Sequence, residues 1–287
     1  MRNWRDWQSV IYLLVLPLLV LWQWQQGFSW PLYLLELFLT LGVGVIHHNH
    51  THVRIWTSRR VNRLTDLWVT LLQGHPTFVF YPSHIANHHR YHHGEQDLTR
   101  TYRFNTPGAR GDTNHLLGYL LHPLQAITVL YPEFVRYLKR RYKFQRAYFY
   151  YCVLQYLLVI GLWLVLALID WQKWLVLVLI PQLYGLHWLL ATNYLQHAHA
   201  DGRGNNLQFA RNFYGWLNPL LFNIGLHTAH HQHPRAHWSQ LPELHQTYVQ
   251  QIHPALQEKS LLCYMLRTYF LALLHPRWRS RSLHHKD

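Results

Sequence analysis

The chain predicts an all-α fold: an integral membrane bundle of four transmembrane helices, arranged as two hairpins, with a cytosolic histidine-rich helical cap. Three observations carry this expectation. Four apolar runs are long enough to cross a bilayer, the links within each pair are very short, and almost every cationic or imidazole side chain lies outside the runs. Spanning the hydrocarbon takes roughly 20 mostly apolar residues in a helix.

The first run, Trp7 to Trp24, contains VIYLLVLPLLVLW. It has no small-residue cleavage site, and a second apolar run follows within a few residues, so it reads as a retained helix rather than a signal peptide. The second, Trp30 to Ile46, carries one charge, Glu36. The third, Ala147 to Ile169, carries none. The fourth, Trp174 to Leu195, holds only Gln182, His187 and Asn193 as polar interruptions. Gln25 to Ser29 links the first pair and Asp170 to Lys173 the second, which makes two hairpins. The expected single domain, 1–287, has spans at about 7–24, 30–46, 147–169 and 174–195, with the cap in 47–146 and 196–287. Leu67 to Tyr81 is broken by Gly74 and Pro76 and reads as an interfacial or re-entrant segment. Leu116 to Tyr131 and Leu261 to Leu274 read as amphipathic helices on the membrane or the cap.

Hairpin topology sends all the polar stretches to one side. Of the 26 Lys and Arg, only Lys173 falls opposite, and of the 25 His only His187 lies outside that side. Positive residues favour the cytoplasmic face, which places a multi-pass integral membrane protein with its histidines facing the cytoplasm. The net charge of +14 flanks membrane-length segments and forms no recognition helix, so nucleic acid is not expected as a partner. Cys152 and Cys263 are far apart, which argues against a disulfide framework or a thiolate metal site.

Three histidine clusters have helical ligand spacing: His47 to His52, His84 to His93 and His227 to His233. Side chains three and four residues apart share one helical face. His48 and His52 can therefore point at one metal, as can His84, His88 and His89, and His227, His230 and His231. At the end of the fourth run, Asn193 and His197 are four apart. Imidazole suits iron, copper and zinc, and so many neutral donors in separate blocks suggest more than one ion.

HxxxH after the second run, HxxxHH beyond it, NxxxH at the end of the fourth and then HxxHH resemble the membrane fatty acid desaturase superfamily. Asn193 to His245 resembles the desaturases most closely, through NYLQH, RNFYGWLNPLLFNIGLHTAHHQHP and HWSQLPELH, and the likeness covers roughly Leu41 to His253. The resemblance implies two iron ions, with O2 as co-substrate. It implies metal ligands at His48, His52, His84, His88, His89, His197, His227, His230 and His231, with Asn193 reaching iron directly or through water. Two registers stay open: His47 in place of His48, and His89, His92 and His93 as a competing HxxHH. Asp66, Asp97, Asp201 and Glu243 are candidates to orient the imidazoles by hydrogen bonds.

Desaturation of an acyl chain, on a lipid or a thioester, is the expected reaction. Hydroxylation of a lipid, alkane or carotenoid on the same scaffold is the alternative. A histidine-rich metal carrier is a remote third, because its ligands belong along a path inside the spans. Neither an HPGG-type haem segment nor GxGxxG occurs, so electrons are expected from a separate donor of ferredoxin or cytochrome b5 type.

Overall fold

The computed structural model describes residues 1–104, 113–202 and 206–283. His284 and His285, expected to belong to a polar tail, lie outside the described residues. Helix makes up 75% of the described residues, and the strands among them are one parallel pair of two residues each, Asn212–Phe213 and Gln257–Glu258. The chain divides into two compact units: Met1–Pro82 with Phe134–Leu189, and Ser83–Glu133 with Leu190–Asp287.

In the first unit, α1 (Trp7–Gln26) stops at Gly27, whose φ of 103° no other residue type adopts cheaply. α2 (Trp30–His52) begins after the extended Ser29 with Pro31 in its first turn, where no amide partner is needed. It runs unbroken from the apolar stretch through the first histidine cluster. A Cβ on Gly42 would overlap the ring of Tyr12, so the small residue allows α1 and α2 to approach closely.

α3 (Arg59–Gln73) starts earlier than the broken segment expected from sequence. Ser58 caps it by accepting from the Val61 amide, and Gly74 ends it in the left-handed region at φ 70°. A 3-10 turn, Thr77–Val79, follows Pro76. Leu67 to Tyr81 is therefore the end of one helix and a separate turn, because Gly74 and Pro76 together stop helix propagation.

α4 (Leu116–Phe144) extends beyond the expected Tyr131, through Pro132 and into the basic run Lys139 to Lys143. Cations at its last turns complement the helix dipole. α5 (Arg146–Trp174) leaves helical geometry at Asp170, at φ −158° and ψ 97°. The Asp170 carboxylate accepts from the amides of Gln172 and Lys173 and so caps the restart. A π turn, Leu175–Leu179, leads into α6 (Ile180–His197).

Among the described residues, three stretches are long and apolar enough to cross a membrane: Trp4–Gln26, Trp30–His52 and Arg146–His197. The last has 52 residues, far more than one span needs, and Asp170 divides it.

Gln182, read from sequence as a polar interruption, proves structural. Its Nε2 donates to the carbonyls of Leu71 and Leu72, at 2.9 and 3.3 Å, and its Oε1 accepts from Trp163 Nε1 at 2.7 Å. The terminal carbonyls of α3 lack helical partners, and in hydrocarbon no water supplies them. Gln182→Leu is expected to destabilise the protein by about 1–3 kcal/mol through the groups left unpaired. Thermal unfolding in detergent micelles checks this, and an unchanged midpoint contradicts it.

The second unit has α7 (His227–Gln232) and a core of Tyr119, Ala191, Tyr194, Leu195, Ala198, Phe213, Tyr264 and Tyr269. Arg211 is 1% exposed, donates to the carbonyls of Leu195 and Ala198, and lies 4.7 Å over the Tyr264 ring. It thus caps the end of α6 at His197. The expected helix Leu261 to Leu274 is interrupted by a π turn, Leu266–Leu271, and leaves Leu262, Leu266, Phe270, Leu273 and Leu274 exposed.

Candidate metal centre

The second histidine cluster does not lie on an ordinary α-helix. Tyr81–His88 is a π-helix, whose i→i+5 bonds widen the turn and bring residues five apart towards one face. His84 and His89 consequently meet, with their Nε2 atoms 3.0 Å apart, and His230 Nε2 lies 3.0 Å from that of His89. His88 faces a different set. It gathers with His197, His227 and His231, four buried imidazoles whose ligand atoms all fall within 4.8 Å of one another. His197 Nε2 is 3.0 Å from His227 Nε2, and His231 Nε2 is 3.1 Å from it.

In this arrangement the members of one cluster divide between the two sets. The π-helix sends His84 and His89 one way and His88 the other. α7 likewise divides its box: His227 and His231, four apart, join the set of four, while His230 joins His84 and His89. The two sets are neighbours, because the rings of His89 and His231 stack at 4.3 Å.

Hydrogen bonding alone does not account for these contacts. His197 Nδ1 donates to the Phe209 carbonyl at 2.7 Å, so its Nε2 presents a lone pair. His227 Nε2 faces both His197 and His231, and one proton there can serve only one of them. His89 Nε2 is in the same position between His84 and His230. Nitrogens about 3.0 Å apart are spaced like adjacent corners of a shell around an ion held at about 2.1 Å. The residues present therefore fit a metal.

Partners behind the ligands set the ring orientations. His88 Nδ1 lies 2.6 Å from Asp97 Oδ2 and donates to it. Asp97, fully buried, also accepts from the amides of His93 and Thr99 and from the Thr99 hydroxyl. Burial pushes this carboxyl up, but the His88 charge and the donated bonds outweigh it and hold it below the usual carboxylate range. Of the acids considered from sequence, Asp97 meets a candidate ligand, His88. Asp66 pairs with Arg54 at 2.6 Å and lies 3.5 Å from His50, and Glu243 is exposed.

The open registers also gain geometry. His47 Nε2 is turned to the Thr77 carbonyl at 3.0 Å. His93 Nε2 faces the Thr101 hydroxyl at 3.2 Å, and His92 and His93 both have positive φ, at 43° and 66°. None of the three belongs to the described imidazole sets. Asn193 sits one turn before His197, its Nδ2 donating to the Thr99 carbonyl at 2.7 Å and lying 3.3 Å from His122 Nε2. In the first unit, His48 and His52 lie one turn apart with ring centroids 4.9 Å from each other. The Phe209 carbonyl and the Arg211 cap were not anticipated from sequence. Backbone acceptors leave no residue-type signal, and a lone Arg near a histidine box has several equally ordinary readings.

A scan against protein families matches residues 22–262 to the fatty acid desaturase model. The chain belongs to the fatty acid desaturase family. This is a membrane-bound family of desaturase- and hydroxylase-type oxidoreductases acting on lipid or acyl substrates, and its members typically carry two irons. No curated protein and no solved structure matches the chain.

Burial holds His231 well below its ordinary 6.5, with His89 and His227 adding to the effect, and holds His122 and His245 at about 4. Neutral imidazole is the form that binds metal. In the unfolded chain these groups take protons near pH 6.5, whereas folded they do not. The metal-free desaturase-family protein should therefore be most stable above pH 6.5 and lose stability as pH falls towards about 4. Unfolding midpoints of chelator-treated protein between pH 7.5 and 5 check the sign. A midpoint that rises on acidification contradicts it.

Proposed function

We propose that this protein is an O2-dependent membrane di-iron desaturase that introduces a double bond into an acyl chain carried on a lipid or thioester. The observation that carries the reading is the division of the histidine boxes into two adjoining sets of converging imidazole nitrogens. One iron would be held by His88, His197, His227 and His231, and the other by His84, His89 and His230. The sequence pattern adds His48 and His52 as further ligands, and Asn193 through its amide oxygen, directly or by way of water. On this reading 1–287 works as one domain.

Bound iron supplies the redox chemistry with O2 that breaking an unactivated C–H bond requires. The chain's own residues do the rest. Asp97 holds His88, and the Phe209 carbonyl holds His197, each with Nε2 free to ligate. Burial of His88, His197, His227 and His231, all 4% exposed or less, keeps bulk water from the reacting centre.

The topology proposed is four spans in two hairpins, with the break at Asp170 as the second turn and the boxes at the cytoplasmic face. The exposed leucines of 261–274 would then lie in the interface. Electrons would come from a separate ferredoxin or cytochrome b5 type donor.

Expression in a host of known lipid content, followed by gas chromatography–mass spectrometry of total lipids, tests the reaction. A new unsaturated chain with wild type, absent with His230→Ala, is expected. A new alcohol would assign hydroxylation instead. An unchanged profile with a reductant system supplied would overturn both.

A further inference from the structure

The first unit gathers cations from three distant parts of the chain. The Arg2 amide donates to the Ile55 carbonyl at 2.8 Å, and Arg2 Nε to the Trp56 carbonyl at 3.2 Å, which sets the N-terminal segment beside the start of α3. The Tyr151 hydroxyl donates to the Arg63 carbonyl at 2.9 Å, and the Arg63 guanidinium lies 6.0 Å from the Tyr151 ring, which sets the first turns of α5 against the same helix. Arg2, Arg5, Arg59, Arg60, Arg63 and Arg146 are all exposed. Of this unit's four acids, Asp6 and Glu36 are buried, Asp66 is held by Arg54 at 2.6 Å, and Asp170 caps the break in α5. None of the ion pairs described involves Arg59, Arg60 or Arg63.

α3 divides its surface three ways. Asn62, Thr65 and Val69 are buried. Val61, Leu64 and Trp68, at i, i+3 and i+7, form an apolar stripe 38%, 64% and 39% exposed. Arg59, Arg60 and Arg63 lie along the edge of that stripe. The helix also runs downwards into the bilayer. Tyr151 lies five residues into the membrane-length stretch that Arg146 opens, so Arg63 stands near headgroup level. Trp68 Nε1 donates to the Leu13 carbonyl at 2.9 Å, inside the first membrane-length helix, so the stripe reaches the level of the acyl chains.

We propose that this surface binds an anionic phospholipid, its headgroup on Arg59, Arg60 and Arg63 and its acyl chains along Val61, Leu64 and Trp68. Three neighbouring guanidiniums without a carboxylate partner select negative charge, and their planar forks match phosphate oxygens. The apolar stripe beside them selects a lipid over an acidic protein, which would need the cations clear of the bilayer. Cations flanking an exposed apolar helix face are the arrangement that holds anionic headgroups.

The test uses the full chain in phosphatidylcholine nanodiscs containing equal trace amounts of two photoactivatable lipids, a phosphatidylglycerol and a phosphatidylcholine. Each carries a diazirine on its acyl chain, and the two differ in mass. Peptide mapping is expected to find phosphatidylglycerol adducts on α3 in about tenfold or greater excess over phosphatidylcholine adducts, since each cation near an anionic surface contributes about fivefold. Replacing Arg59→Gln, Arg60→Gln and Arg63→Gln together should bring the two probes close to equality there. On the wild-type chain, about 1 M salt, where the Debye length falls to about 3 Å, should reduce the excess at least about threefold, even if the triple variant does not fold. Lys173→Gln, at the break in α5, should leave it unchanged. Equal labelling of wild type by the two lipids, or an excess that survives the triple replacement or the salt, would overturn the proposal. So would the absence of lipid adducts on α3 with an acidic ferredoxin-type protein cross-linking there instead. Iron content and product formation do not enter this readout.

Discussion

Purified His231→Ala protein is expected to lose iron and at least about 100-fold of its product formation. His231 is buried, converges with His227 at 3.1 Å, and stacks on His89 at the junction of the two imidazole sets. Its truncation removes one of four described ligands from one ion and opens a polar hole beside the other. Removing even a partner behind a ligand costs 10–100-fold in metal affinity or activity, so removing the ligand itself should cost more. His233→Ala is the control. Its Nε2 faces the Tyr248 hydroxyl at 2.7 Å, outside both sets, and iron should stay bound. Elemental analysis of the two variants, with lipid profiles, checks the pair. Equal iron in both would mean that the third box does not ligate in the register His227, His230, His231.

Asp97→Asn has the second largest expected effect. The carboxylate accepts from the His88 ring, two amides and one hydroxyl. An asparagine offers one acceptor oxygen in place of two and turns an NH2 towards groups that also donate. Breaking a buried charged pair costs about 3–5 kcal/mol, and loss of an orienting carboxylate lowers metal affinity by about 10–100-fold. The variant should unfold at lower temperature and release iron to a chelator faster than wild type. Asp66→Asn, whose described partners Arg54 and His50 belong to neither imidazole set, should retain wild-type iron release. If Asp97→Asn retains wild-type metal affinity, His88 is not oriented as described.

The histidine boxes were legible in sequence because ligand spacing is a local property. α2 continues through His48 and His52 as the i, i+4 pattern requires, and His227 and His231 meet one turn apart on α7. The division of labour was not legible. Read at 3.6 residues per turn, His84, His88 and His89 share a face, whereas the π-helix regroups them. Nothing in YPSHIANH signals the wider turn.

Asp97 could not be chosen over Asp66, Asp201 or Glu243, because which acid reaches an imidazole is decided by tertiary folding. A local clue was present all the same. Asp97 accepts from the Thr99 amide two residues on, the Asx-turn habit of Asp before a hydroxyl residue. The apolar runs predicted membrane-length helices correctly, but not the partners of their polar residues. Gln182 and Glu36 interrupt hydrophobic stretches in the same way. One caps α3 and the other stands at a cavity wall.

The most direct test is to count metal in the purified full chain expressed in iron-sufficient medium, by elemental analysis with Mössbauer spectroscopy on iron-57-enriched protein. The account predicts two irons per chain, each in a nitrogen-rich environment, both lost when His88 and His230 are replaced together. Stoichiometric zinc in place of iron, or iron that survives that double replacement, would contradict it.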